Sequence, residues 1–300
     1  MRRYRWLIVL GLVLIAAWVL NVSRPGRRPE GCPTGCATAT VRLDGPLRVM
    51  SLNMLHGFPR FEHLEQRLDI IAAEIRRQDP DLVLLQEVPW HRGNAAQWLA
   101  EQVGLNYLYL RANGNRWALL FEEGEVILSR FPLLDATWAE LAPRAGFFEH
   151  RVVLGATAVT PWGDLPVFTT HLTHGDAGTN RHQAAALKAF VDGAGNGLAL
   201  VGGDFNAVEG SPQIQSLRWV DTYRRAHPGE EGFTCCVDDL GAGPAELLEK
   251  RIDYLFLVPG SGPAKVVASQ RILDQPLEVE PGWLWASDHA GLLTEISLEP

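Results

Sequence analysis

Short apolar blocks separated by turn residues recur along the chain from residue 46 onwards. Buried strands are predicted at 47–52 and 81–86, and between them an apolar stripe with helical spacing runs over 62–77. Asp79-Pro80 ends this helix, because a residue before proline disfavours helical backbone. Further helices are predicted at 94–103 and 179–191, and further strands at 107–111, 117–121, 125–129, 151–160, 165–171, 198–202, 252–257 and 291–296. Many strands and few helices favour two packed sheets with helices outside them.

The first residues follow a different pattern. Three arginines precede an uncharged apolar run over 6–20, which extends to 22. Fifteen helical residues span about 22 Å, less than the roughly 30 Å of a hydrocarbon core. We predict a short signal anchor or signal peptide over 1–23, with the uncleaved anchor favoured because Asn21-Val22-Ser23 is a poor match to the A-x-A pattern of a cleavage site. A linker over 24–45 and one folded domain over 46–300 follow.

Charge is distributed unevenly. Residues 1–30 carry six arginines and one acid, whereas residues 31–300 carry 21 basic and 34 acidic residues, a net charge of −13. An acidic body argues against a tight nonspecific binder of polyanions, but it is compatible with an enzyme that meets phosphate through a bound cation. Four cysteines without a C-x-x-C pair make a zinc site improbable and leave disulfides and free thiols both open.

Polar residues stand at the ends of six apolar blocks. One such residue alone is ordinarily a turn former or a cap. Strand ends of one sheet converge, so the set predicts a single acidic cleft with two imidazoles. Its members are Asn53, Glu87, His171, Asp204, Asn206, Asp253, Asp288 and His289.

These residue types suit metal-assisted chemistry on phosphorus. Oxygen ligands such as Asn53, Glu87 and Asp288 favour Mg²⁺, with Mn²⁺ as an alternative, over zinc. Attack by water on phosphorus needs a base, for which a histidine held by a carboxylate is suitable, and His289 with Asp253 is the candidate pair.

Seven motifs resemble those of the endonuclease/exonuclease/phosphatase superfamily, which includes DNase I-like nucleases, neutral sphingomyelinases and inositol polyphosphate 5-phosphatases. They occur in family order over residues 46–298: Met50-Ser-Leu-Asn53, Asp79-Pro-Asp-Leu-Val-Leu-Leu-Gln-Glu87, Gly124-Glu-Val-Ile-Leu-Ser-Arg-Phe-Pro132, Thr170-His-Leu172, Gly202-Gly-Asp-Phe-Asn206, Arg251-Ile-Asp-Tyr254 and Ser287-Asp-His289. The resemblance implies an α/β (α+β) fold, a four-layer α/β/β/α sandwich of two mixed sheets flanked by helices.

The resemblance also implies roles. Asn53 and Glu87 would bind the metal with Asp288 nearby, while Asp204 and Asn206 would position the nucleophile and the phosphate. His289 and Asp253 would form the His–Asp pair.

His171 matches the second histidine of the DNase- and sphingomyelinase-like branches. Relatives often pair that histidine with a carboxylate, for which Glu123 is the candidate and Glu122 and Glu125 are rivals. Arg151 resembles a phosphate-contacting arginine, and a strand-end surface charge is its alternative.

The predicted function is a divalent-metal-dependent phosphodiesterase or phosphomonoesterase, held at a membrane with its catalytic domain outside the cytoplasm, or secreted after cleavage. A lipid headgroup or small phosphoester is the favoured substrate, nucleic acid is an alternative, and we expect a monomer. A DNase I-like extracytoplasmic endonuclease and a non-catalytic binding member are the competing hypotheses. Abasic-site repair is disfavoured because Thr170-His-Leu172 and Asn53-Met-Leu55 depart from the motifs of that branch.

Overall fold

The computed structural model describes residues 2–22, 24–42, 44–195, 197–260 and 264–298, and within the first helix it describes the side chains of residues 4–20. Residue 23 of the predicted anchor and residue 43 of the predicted linker lie outside the described residues. The helices are α1 Arg2–Val22, α2 Leu64–Gln78, α3 Ala95–Val103, α4 Ala177–Asp192, α5 Pro212–Leu217 and α6 Thr222–Ala226. The strands are β1 Glu30–Cys32, β2 Leu47–Asn53, β3 Leu82–Trp90, β4 Asn106–Asn115, β5 Phe121–Ser129, β6 Leu133–Glu140, β7 Val152–Thr160, β8 Gly163–His171, β9 Ala199–Asp204, β10 Val220–Asp221, β11 Asp253–Val258, β12 Ala264–Ile272, β13 Leu277–Val279, β14 Gly282–Leu284 and β15 Gly291–Leu298.

Two mixed sheets pack face to face, as predicted. One has the strand order β1-β4-β5-β3-β2-β15-β12 and the other β10-β11-β9-β8-β7-β6. Each contains one parallel pair, β2–β3 and β8–β9 respectively. Apolar side chains of both sheets fill the space between them. Helices α2 and α3 cover the outer face of the first sheet, and α4 and α5 cover that of the second. The four-layer α/β/β/α sandwich is therefore confirmed.

The predicted strand near 117–121 is wrong. Residues 116–120 form the turn between β4 and β5. The apolar residues of this segment suggested a strand, but several of them are exposed at the turn and so pack against no second layer. The first strand also begins earlier than expected, because residues 30–32 of the predicted linker pair with β4 at the edge of the first sheet.

Helix α1 carries an almost wholly apolar sequence, and its large apolar side chains are exposed along residues 4–20. A helix of the length and hydrophobicity needed to cross a membrane is absent from the described residues.

Asp79 and Asp81, the two acidic residues that open the second motif, lie at one edge of the first sheet. This edge is opposite the strand ends that are discussed below. Arg130 binds both carboxylates, at 2.5 Å and 3.0 Å. Asp81 also accepts a hydrogen bond from the backbone nitrogen of Arg48. Two family-like motifs thus meet as one structural ion-pair cluster, away from the cleft. The cysteines form two disulfides, Cys32–Cys36 and Cys235–Cys236.

Candidate active site

The polar strand ends converge, as the sequence pattern predicts. Asn53 ends β2, His171 ends β8 and Asp204 ends β9, while Asp253 begins β11. The strand register aligns His171 with Asp204 and Asp204 with Asp253. All four residues are buried. One edge of the sandwich therefore collects these side chains between the two sheets.

Backbone distortion aims Glu87 into this cleft. The pairing of β3 with β5 slips between Leu85 and Val88, and Glu87 adopts a φ of 54°. A non-glycine residue in the left-handed region is uncommon and is concentrated at functional sites. Asn206, on the turn after β9, has a φ of 48°. Two predicted site residues thus sit on strained backbone.

The Asn53 side chain bridges Glu87, which the sequence predicts as a metal ligand, and Asp204. Its Nδ2 donates to Glu87 Oε1 at 3.2 Å and to Asp204 Oδ2 at 3.0 Å. Glu87 Oε2 accepts from the backbone nitrogen of His56 at 3.1 Å. Burial works to raise the pKa of Glu87, but the electrostatic interaction with His56 and these hydrogen bonds outweigh it and lower the pKa to about 2. Glu87 is therefore ionised at neutral pH and offers negatively charged oxygen atoms to a metal ion.

Asp288 joins the same side of the cleft through the loop that precedes β15. Ser287 Oγ contacts the carbonyl oxygen of Asn53 at 2.7 Å and Asp288 Oδ1 at 3.3 Å. Burial, and then the negative charge of Glu87, raises the pKa of Asp288. Two half-buried carboxylates that repel each other form an arrangement that a bound cation would stabilise.

His289 and Asp253 form the predicted pair. His289 Nδ1 donates to Asp253 Oδ2 at 2.8 Å, and His289 Nε2 lies 3.8 Å from Asp204 Oδ2. Burial favours the neutral ring, but the charges of Asp253 and Asp204 prevail and raise the pKa of His289 well above its ordinary value. Burial and the charge of Asp253 raise the pKa of Asp204 to about 7.

The donor set fits a hard divalent cation. Asp204, Asp253 and His289 carry ligand atoms that lie within 4.8 Å of one another. Within the described part of the chain, Asp253 Oδ1 is buried and has no hydrogen-bond partner. Together with Glu87 and Asp288, these carboxylates present the oxygen donors that Mg²⁺ and Mn²⁺ prefer.

His171 lies against Asn206 and Asp204 on the opposite wall. Asn206 Nδ2 donates to His171 Nε2 at 3.0 Å, which is 3.4 Å from Asp204 Oδ2. Burial, followed by the positive charge of Arg151, lowers the pKa of His171 well below its ordinary value. The ring is therefore neutral, with Nδ1 3.8 Å from Glu87 Oε1.

Glu123, the predicted carboxylate partner of His171, is bound by another residue, and Glu87 lies beside His171 Nδ1 instead. Glu123 accepts a hydrogen bond from Asn113 at 2.5 Å, and its rivals are held elsewhere, Glu122 by Arg116 and Glu125 by Thr169. Strand pairing opposes Glu123 to Pro89 and Asn113, which fixes it beside β4 instead of against β8. Glu87, displaced by the bulge, is the carboxylate nearest to His171 Nδ1 among the ion pairs of the described residues.

Arg151 lies beside this wall, as its charge acts on His171, Glu123 and Glu125. Its Nη2 donates to Glu149 at 2.9 Å, and its side chain is mostly buried. The structure thus brings Arg151 close enough to His171 to influence it, while a role in binding phosphate stays a prediction.

Sequence reasoning missed Arg67, which is buried on α2. Its guanidinium donates to four backbone carbonyls in three segments that frame the cleft, those of Met54, Leu55, Glu62 and Ala286. The helical stripe gave no signal for it, since an arginine at that spacing is ordinarily solvent-facing.

We expect Arg67→Met to lower the free energy of unfolding by about 3 kcal/mol or more, because methionine fills the space but leaves several buried carbonyls unpaired. Urea unfolding followed by far-UV circular dichroism measures this. Arg76→Met, on the exposed face of the same helix, is the matched control and should change little. Equal midpoints for the two variants would contradict the structural role of Arg67.

Glu125 predicts a pH effect on stability. Burial, and then the charge of Glu123, raises the pKa of Glu125 well above its usual value. The folded state holds this proton more tightly than the unfolded chain, so the associated stability is present below a pH of about 4.3 and is lost as the pH rises towards the folded-state pKa. Glu125→Gln should therefore be more stable than the parent at pH 8, by on the order of 1–3 kcal/mol, and should differ little at pH 4. Urea unfolding across this range tests it, with Glu295→Gln, at a half-buried position of β15, as the control. Parallel pH profiles for Glu125→Gln and the parent would refute it.

Comparison with known proteins identifies the fold and the family. Three solved structures superpose over most of the chain: an endonuclease/exonuclease/phosphatase family protein of Bacteroides thetaiotaomicron (16% identity, TM-score 0.69, 85% of this chain and 98% of that one), D. rerio TDP2 complexed with single-strand DNA product (17%, 0.68, 85% and 100%), and a Bacteroides thetaiotaomicron mannosyl-6-phosphatase (18%, 0.67, 84% and 100%). Such identities establish a common fold. No curated protein sequence matches the chain. The sequence profile of the Endonuclease/Exonuclease/phosphatase family matches residues 50–289, and we conclude that the chain belongs to this family.

Proposed function

We propose that the chain is a divalent-metal-dependent phosphoesterase in which His289 activates the attacking water. The observation that carries the proposal is the hydrogen bond of 2.8 Å from His289 Nδ1 to the buried Asp253, which leaves His289 Nε2 directed towards Asp204. A histidine base that is held through Nδ1 must keep Nε2 available to accept a proton, and His289 does so because Asp253 contacts only Nδ1.

The proton transfers follow from these contacts. Asp253 fixes the tautomer of His289 and stabilises the ring once Nε2 has accepted a proton from water. A divalent cation in the cleft would offset the carboxylate charges that raise the pKa of His289, and so would leave the ring neutral before that transfer. Asp204, whose pKa burial and Asp253 raise to about 7, lies within reach of both histidines and can orient that water. Asn206 Nδ2 holds the neutral His171 by donating to its Nε2 and to the carbonyl of Leu172. His171 Nδ1, which has no hydrogen-bond partner among the described residues, is then the donor for a phosphoryl oxygen or for the leaving group. A divalent cation held by Asn53, Glu87 and Asp288 would polarise the phosphoryl group and offset the acidic charge.

The substrate class remains a proposal. Structures of similar fold include TDP2 with a DNA product and a mannosyl-6-phosphatase, so both diesters and monoesters are candidates. The net charge of −13 over residues 31–300 favours a small phosphoester or lipid headgroup over long nucleic acid, because counter-ion release requires many basic residues.

Action at a membrane outside the cytoplasm is the second part of the proposal. Support comes from the basic start and apolar run of the sequence and from the exposed apolar side chains of α1 over residues 4–20. Large contiguous apolar surfaces in water-facing positions mark sites of association with lipid or protein.

Hydrolysis of bis-p-nitrophenyl phosphate by the purified full chain tests the reaction class. We expect turnover with Mg²⁺ or Mn²⁺ and its loss with EDTA; turnover that EDTA leaves unchanged would refute metal dependence. A parallel panel of p-nitrophenyl phosphate, supercoiled plasmid, sphingomyelin and phosphoinositide separates monoesterase, nuclease and lipid-directed activities. Absence of turnover on every substrate would favour the non-catalytic binding member.

A further inference from the structure

Exposed aromatic side chains gather at the active-site edge. In the described residues after α1, all five exposed phenylalanine and tryptophan side chains lie at this edge, four on loops and one on the short strand β14: Phe58, Trp117, Phe147, Phe148 and Trp283. Single exposed apolar residues are ordinary, but a concentration on one side of an acidic domain indicates a surface for association.

The turn between β4 and β5 forms the most prominent part of this surface. The turn begins beyond Trp90 and Glu122, the last residue pair between β3 and β5. It therefore projects farther out from the active-site edge than Glu87, which lies earlier on β3. Trp117 is 87% exposed at its tip, and Leu119 and Leu120 are exposed beside it. Leu119 and Leu120, unlike Trp117, have no ring on which a nucleobase could stack, whereas all three side chains suit insertion among acyl chains.

A second loop completes the same surface. Phe147 and Phe148 pack edge to face with ring centres 5.0 Å apart, and both are exposed. Asn113 of β4 binds the backbone of His150 through two hydrogen bonds of 2.7 Å and 3.1 Å, which ties this loop to the base of the hairpin. The next residue is Arg151, beside the catalytic cleft. Hairpin tip and loop are therefore one rim, here called the apolar rim: Trp117, Leu119, Leu120, Phe147 and Phe148.

The chain segment that follows α1 reaches the same rim. Gly26 donates to the carbonyl of Arg111 at 2.8 Å, and exposed Arg27 and Arg28 line one depression with Trp117. Arginines bordering apolar side chains match the chemistry of anionic headgroups above acyl chains. They also stand out against the acidic body of the domain. The end of α1 at Ala17 and Leu20 lines a second depression with Arg111 of β4, the strand that leads into the hairpin tip.

We propose that the apolar rim docks on the surface of a lipid bilayer, with the cleft opening towards the headgroup layer, so that the substrates are phosphoesters of membrane lipids. The inference deepens the proposed function and rests on it for the choice of substrate. The bilayer is favoured over nucleic acid by the two exposed leucines of the hairpin tip and by the position of Arg27 and Arg28, which follow α1 and border Trp117.

Depth-dependent fluorescence quenching tests the docking. The full chain is bound to vesicles of phosphatidylcholine and phosphatidylglycerol that carry doxyl-labelled acyl chains, and is compared with Trp117→Phe. Phenylalanine keeps the apolar contact but removes the indole signal. We expect the parent to show a quenched component that Trp117→Phe lacks; identical quenching in the two would overturn the proposal. The quenched component should shrink in Leu119→Ser/Leu120→Ser and in Phe147→Ser/Phe148→Ser, and should persist in Leu134→Ser/Val267→Ser, two exposed apolar positions away from the rim.

Two further measurements keep the outcomes distinct. Hydrolysis of bis-p-nitrophenyl phosphate should be equal in all these variants, which shows that they fold; its absence from the parent would refute the proposed function while leaving the quenching result to judge the docking. If the rim variants instead lose binding of a single-stranded oligonucleotide and keep the quenched component of Trp117, the rim is a nucleic-acid surface and the lipid proposal is overturned.

Discussion

His289→Ala should lower kcat for Mg²⁺-supported hydrolysis of bis-p-nitrophenyl phosphate by about two to four orders of magnitude. The reason is geometric: His289 is held at 2.8 Å by Asp253, and its free nitrogen lies in the cleft beside Asp204. Alanine removes both the proton acceptor and the group that orients it. Steady-state kinetics over a range of substrate concentrations separates this loss of kcat from a change in KM.

Asp253→Asn, alone and combined with His289→Ala, tests whether the two residues act as a pair. Asparagine leaves the ring in place but disfavours its required tautomer, so a smaller loss of kcat is expected, and the double variant should be no worse than His289→Ala, because the pair acts as a unit. His182→Ala, an exposed histidine on α4, is the control. Additive losses in the double variant would show that the two residues act separately, and full activity of His289→Ala would exclude His289 as the base.

Glu87→Gln should raise the Mg²⁺ concentration required for half-maximal activity by at least about tenfold, since even outer-shell partners of a metal are worth that much in affinity. Glu87 is ionised, with a pKa lowered to about 2, and it lies on the same side of the cleft as Asn53 and Asp288. Glutamine keeps the size and one acceptor oxygen but removes the charge that a hard cation prefers.

Thermal unfolding provides a readout that does not depend on turnover. A ligand that binds the folded state raises Tm, so saturating Mg²⁺ should stabilise the parent chain and should stabilise Glu87→Gln much less. Glu295→Gln, on a strand of the same sheet, should respond as the parent does. An equal Mg²⁺ response in Glu87→Gln would mean that Glu87 is not a metal ligand.

The alternation of apolar blocks predicted most of the core strands and helices, because burial on one face imposes its period on a sequence. The same reasoning failed at 117–121, where apolar residues serve an exposed turn and not the core. It also missed strands β6 and β12, whose side chains are largely exposed and so carry a weak apolar pattern.

Local sequence did not predict the partners of buried groups. The candidate carboxylate for His171 was Glu123, yet the register of β5 pairs Glu123 with Asn113, and a bulge in β3 turns Glu87 towards the ring. Arg67 likewise reads as an ordinary helix arginine until its four carbonyl partners are assembled from distant segments.

The sequence by itself determined the set of chemical groups and the two-sheet fold, since polar residues that end apolar strands must gather where those strands end. The tertiary structure alone decided which groups touch. His289 pairs with Asp253 across 36 residues, and Asn53 with Asp204 across 151. Such contacts depend on strand register, on one bulge and on the spacing of the sheets, and these are set by the packing of the whole core and not by any local stretch of chain.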